Sequence, residues 1–133
     1  MTSYHTARFK RFNCFEGQDR KDVARVLSLM ALARAERIKA TRAVRRVEGL
    51  EKERRNKDLP AYNRSIERAA KLREKTVELL EKAEDGIDAI LKRGKVSVGE
   101  KAALVKAIDL IDMDATLQQS KAIGLRGLLR SSW

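Results

Sequence analysis

Pro60 is the only proline among the 133 residues of this chain, and the sequence on each side of it repeats at helical spacing. Proline lacks the amide donor a helix interior needs but suits a first turn, so residues 56–60 read as the break between two long helices. Ahead of the break, apolar and small residues recur from Val23 to Leu50. Asp19 is placed to cap this helix, with Asp22 three positions on, and the charged run 51–57 extends it to about residue 56. The result is a helix over residues 19–56, roughly 55 Å long at 1.5 Å per residue.

Behind the break, Tyr62, Ile66, Ala69, Arg73, Thr76, Leu80, Ala83, Ile87 and Ile90 alternate spacings of four and three. That is a heptad seam for a second helix over residues 61–92, widened by Leu72, Val77, Leu79 and Leu91. Arg73 and Thr76 interrupt it, which predicts poorer packing at its middle. Gly94 is a C-terminal stop. Two helices of similar length with a short connection predict an antiparallel hairpin.

Ser97 and Glu100 then form an S-x-x-E capping box for a third helix running from about residue 98 to at least Met113. Its apolar arc is wide (Ala102, Leu104, Val105, Ile108, Leu110, Ile111), which predicts burial against the hairpin or against another copy of the chain. Asp114 is positioned to cap a fourth helix reaching Ile123, after which Gly124 and Gly127 loosen the chain. The expected architecture is all-α. An N-terminal arm (1–18) precedes one helical domain (19–133), made of the hairpin 19–92 and a C-terminal helical region 97–130.

Charge gives the strongest functional signal. The chain carries thirty Lys and Arg against nineteen Asp and Glu, a formal net charge of +11. Residues 19–59 hold thirteen bases and seven acids, whereas residues 60–94 hold eight and seven. The excess concentrates in the stretch 34–46, where Arg34, Arg37, Lys39, Arg42, Arg45 and Arg46 face only Glu36. On a helix these cations lie opposite an apolar arc of Leu29, Leu32, Ala33, Ala40, Ala43, Val44, Val47 and Leu50. Arginine dominates this face, which favours forked contacts to phosphate over simple charge steering. Glu74, Glu78, Glu81, Asp85 and Asp88 form an acidic stripe beside the second seam. It either pairs with arginines of the first helix or a second subunit, or is a solvated face with i,i+4 pairs such as Glu78–Lys82.

The arm is basic and aromatic. Tyr4, Phe9, Phe12 and Phe15 interleave with Arg8, Lys10 and Arg11, and no acid occurs before Glu16. Aromatics beside cations suit stacking on unpaired bases, so Arg8, Lys10 and Arg11 join the candidate nucleic-acid contacts. Phe9, Phe12 and Phe15, three apart, form a row suited to docking into an apolar groove of a partner subunit.

Several classes of chemistry find no support. Cys14 and His5 are single residues, so neither an internal disulfide nor the usual zinc ligand set can be assembled. Asp109, Asp112 and Asp114 lack the loop geometry of a calcium site. No phosphate-binding glycine loop, G-x-S-x-G or H-E-x-x-H occurs. The chain therefore reads as non-enzymatic, without cofactor or metal. No apolar run of 18 residues is present and the start lacks a secretory apolar region, which predicts a cytoplasmic or intravirion protein. The acid-poor start with Arg8 and Arg11 keeps an organelle transit peptide as a minor alternative.

Three functions remain. The leading one is a structural protein that binds DNA or RNA backbone independently of sequence, within a multi-copy assembly such as a virion, phage particle or ribonucleoprotein. It would contact itself or another chain through helix 98–113 and the arm. The alternative is a helical scaffold or inhibitor that clamps an acidic protein surface. A membrane-surface role is disfavoured, because the apolar face of the first helix is built of alanine and valine where insertion needs large aromatics.

Overall fold

The computed structural model describes Phe15, residues 17–53 and residues 59–132. It contains three helices, α1 (Gly17–Glu53), α2 (Leu59–Arg93) and α3 (Val98–Arg126), and no strand among the described residues. The chain runs up, down and up. At one end Arg93 of α2 donates to the carboxylates of Asp19 and Asp22 on α1. At the other, the Tyr62 hydroxyl of α2 donates to Glu51 Oε2 of α1 at 3.2 Å. α2 is the central element, packed along both neighbours. No helix of the described residues is long and apolar enough to cross a membrane.

The expected seam of α2 is buried along its whole length, from Tyr62 to Ile90. Gly86 marks a close approach of the two hairpin helices, since a Cβ there would come within 2.6 Å of Val26 Cγ2 on α1. Gly94, at φ 66°, ends α2 in the left-handed conformation that glycine adopts without a Cβ penalty. Ser97 caps α3, its hydroxyl accepting from the Glu100 amide at 3.2 Å.

Two expectations about capping are corrected. α1 begins at Gly17, and Asp19 and Asp22 serve as the acidic ends of the Arg93 clamp rather than as a capping box. α3 does not stop at Met113: it passes unbroken through Asp114 and Gly124 to Arg126. Asp114 is 2% exposed and accepts from side chains, so it is an interior acceptor and not the cap of a fourth helix.

The core has two apolar clusters separated by a polar layer. One gathers Val23, Val26 and Met30 of α1, Leu80, Ala83, Ile87 and Ile90 of α2, and Leu104 and Ile111 of α3. The other holds Ala43 and Val47 against Tyr62, Ile66, Ala69 and Leu125. Between them Arg37 Nη1 donates to Asp114 Oδ2 (3.5 Å), Gln118 Nε2 to Asp114 Oδ1 (3.3 Å), and Arg73 Nη1 to Gln118 Oε1 (2.7 Å). Thr76 returns its hydroxyl to the Leu72 carbonyl at 2.9 Å. Of the two residues that interrupt the seam, Arg73 thus joins a connected polar layer through all three helices, while Thr76 satisfies its hydroxyl within α2. Burial and the Arg37 charge both push the Arg73 guanidinium pKa down, and its Nε is buried with no acceptor among the described residues.

Candidate nucleic-acid interface

Arg34, Lys39, Arg42, Arg45 and Arg46 are all exposed on α1, opposite buried Ala33, Ala40, Ala43 and Val47. Lys39 shares its charge with Glu36 at 3.4 Å. Arg34, Arg42, Arg45 and Arg46 form no ion pair among the described residues. Arg37 departs from its expected role. It lies only about 60° round the helix from Ala40, at the edge of the packed arc, and the interior carboxylate of Asp114 takes its guanidinium. Leu32, expected in the apolar arc, is instead 54% exposed.

The structure adds a second row of cations. Arg64, Arg68, Lys71 and Lys75 are exposed along α2 and fall within about 60° of one another round the helix. Their spacing of four, three and four is visible in the sequence, but the near-balanced charge of residues 60–94 masks it. Arg46 of α1 lines one hollow with Arg64 and Arg68, about 360 Å³ in volume. A larger hollow of about 850 Å³ continues along Arg64, Arg68, Lys71 and Lys75 to Glu36 of α1 and Leu129 of the tail. The basic face therefore spans two helices.

Other arginines are committed to the fold. Arg126 donates to Glu67 and Glu74 at 2.7 Å each, and Arg130 to Glu51 at 3.0 Å. The amide of Asn63 ties the tail to α2, donating to the Arg130 carbonyl (2.8 Å) and accepting from its N–H (3.1 Å). Hydrogen bonding from Arg126 holds the Glu74 carboxyl below its usual range and raises the pKa of Arg126 in turn.

The acidic stripe divides. Glu74 pairs with α3 rather than α1, while Glu78 makes the local pairs with Lys75 (3.5 Å) and Lys82 (3.2 Å). Glu81 and Glu84 line a groove between α2 and α3 together with Asp112, Val77 and Ile123. Burial, then a hydrogen bond and repulsion from Asp112, push the Glu84 carboxyl up to about 7. Asp112 thus faces this groove while Asp114 points into the core, so the three aspartates of α3 do not converge. Among the described residues no group of three His, Cys, Asp or Glu is placed to hold a metal.

Phe15, expected to dock onto a partner, is 5% exposed and packs within the first apolar cluster of its own chain. Arg8, Phe9, Lys10, Arg11, Phe12, His5 and Cys14 lie outside the described residues. No protein-family model matches this chain, and neither the curated proteins nor the solved structures contain a match to it.

Proposed function

We propose that this protein is a non-enzymatic binder of nucleic-acid backbone, independent of base sequence, acting as one component of a larger assembly. The observation that carries the reading is the two-helix basic face. Arg34, Arg42, Arg45 and Arg46 of α1 are exposed without ion pairs among the described residues, and the exposed α2 row of Arg64, Arg68, Lys71 and Lys75 meets this face at Arg46. Residues 34–46 extend about 18 Å and residues 64–75 about 17 Å. Phosphates follow one another every 3.4 Å of axis on each strand of a duplex, so such a row is matched to about five of them. The acidic groove lies along α2 and α3, which leaves the opposite side of the hairpin to the polyanion. No groove-reading motif accompanies the cations, which accords with contacts to phosphate rather than to bases.

If about five phosphates are neutralised, log affinity for a duplex falls against log salt with a slope near −4 to −5. Fluorescence anisotropy with two 20-base-pair duplexes of unrelated sequence measures it. Replacing Arg34, Arg42 and Arg45 together by Gln should reduce the slope by up to about 3 on both sequences, with helicity unchanged because all three are exposed. An unchanged slope, or loss of a protein complex with duplex binding spared, would transfer the basic face to an acidic protein partner.

A further inference from the structure

The hollow shared by Arg46, Arg64 and Arg68 is built differently from the rest of the basic face. Its remaining lining is Ala43, Ala61 and Ser65. The alanine methyls let a ligand approach the helix backbones, and Ser65, 7% exposed, supplies a hydroxyl at the wall. At about 360 Å³ the hollow falls within the size range of small-ligand sites, roughly 300–1,000 Å³.

Nothing among the described residues neutralises this spot. Arg46, Arg64 and Arg68 enter no ion pair, whereas Arg37, Arg93, Arg126 and Arg130 all meet carboxylates. Arg64 and Arg68 are four residues apart on one helix face, and Arg68, Lys71 and Lys75 continue the row. Like charges at this spacing repel, and an anion between them removes the penalty. Two helices are needed to bring the three guanidiniums together, so the spacing of Arg46 from Arg64 carries no hint of it.

We infer that Arg46, Arg64, Arg68 and the Ser65 hydroxyl form a seat for one phosphate group, the fixed point from which the remaining cations follow a nucleic-acid strand. This rests on the nucleic-acid reading for the identity of the larger ligand. The shared chemistry is a tetrahedral phosphoryl oxyanion, supplied either by a backbone phosphodiester or by a terminal phosphomonoester. Guanidinium forks suit it because they offer two parallel N–H donors to two oxygens, which a lysine ammonium does not.

The test uses the full-length protein in ¹⁵N NMR at low ionic strength, titrated first with inorganic phosphate and in parallel with chloride. The Nε–H signals of Arg46, Arg64 and Arg68 and the Ser65 amide should move together with phosphate, ahead of those of Arg34, Arg42 and Arg45. Arg68→Lys, which keeps the charge, should weaken phosphate binding about tenfold. Ser65→Ala provides a second variant with little steric risk and should weaken phosphate binding severalfold. Duplexes with and without 5′-phosphates then separate the sources: tighter binding of the phosphorylated ends assigns the seat to a terminus, and equal binding assigns it to the backbone. Uniform shifts over all the arginines, or an Arg68→Lys variant indistinguishable from wild type, overturn the seat while leaving the salt-dependent duplex binding intact. Phosphate-specific shifts in a protein with no affinity for duplex keep the seat and refute the nucleic-acid reading.

Discussion

Replacing Asp114 by Ala probes the polar layer, and the structure sets the size of the effect. Asp114 is 2% exposed and is the acceptor for both Arg37 Nη1 and Gln118 Nε2. Without it, Gln118 loses a partner in the interior and Arg73, 6% exposed, has no carboxylate to offset its charge. Breaking one side of a buried charged network costs about 3–5 kcal/mol. The Arg37 side chain is 22% exposed and its bond is long at 3.5 Å, so it can turn toward water and lessen the loss. The expected destabilisation is therefore at the low end, about 3 kcal/mol. With a urea m-value of about 2 kcal/mol/M, the midpoint should fall by about 1.5 M. Asp114→Asn keeps an acceptor and should cost roughly half as much.

A double-mutant cycle sharpens the argument. Arg73→Met removes the buried cation that Asp114 offsets and replaces it with an unbranched apolar chain. In the Asp114→Ala background it should restore at least 1 kcal/mol, a coupling within the usual range of about 0.5–3 kcal/mol for residues in one network. Urea unfolding followed by circular dichroism at 222 nm gives all four stabilities. A loss under 1 kcal/mol for Asp114→Ala, or no recovery with Arg73→Met, would show that the layer is incidental to stability and would falsify its role as the link between the helices.

Further predictions follow from other sites. Glu84 has its pKa raised from 4.5 to about 7, so its protonated form favours the folded state and its stabilising contribution is lost as pH rises through that interval. Glu84→Gln should flatten this decline, gaining about 1 kcal/mol at pH 8 relative to pH 5 after allowance for water in the groove, as read from urea midpoints at the two pH values. Gly86→Ala should destabilise by about 1–3 kcal/mol through the clash with Val26, less up to about 1 kcal/mol of helix propensity; Val26→Ala in the same chain should recover part of it in thermal unfolding. Met113, Leu117 and Ile123 remain exposed at 65, 45 and 64% on α3, so nucleic-acid-free protein at micromolar concentration should sediment as a dimer or larger. A lone monomer with no partner refutes that association.

The helices themselves were legible from the chain because their causes are local. A single proline, a left-handed glycine and a Ser-x-x-Glu cap act within one turn, and the heptad seam from Tyr62 to Ile90 needs only the 3.6-residue period to be read. The exposed arginines of α1 were legible for the same reason. What the chain could not disclose is who meets whom. Asp114 looks like a cap when seen alone, and Arg37 looks like a phosphate contact; only the arrival of α1 and α3 against α2 makes the carboxylate an interior acceptor and commits the guanidinium to it. Arg73 reads as a flaw in an apolar seam until Gln118 of α3 is opposite it. Likewise, the row Arg64, Arg68, Lys71 and Lys75 is hidden in a segment of balanced charge, because the fold commits Glu67 and Glu74 to Arg126 and leaves Arg64 and Arg68 beside Arg46. Helical periodicity is set by bonds four residues apart, whereas the pairing of charges across a bundle depends on contacts forty to eighty residues apart, which only the packed tertiary structure decides.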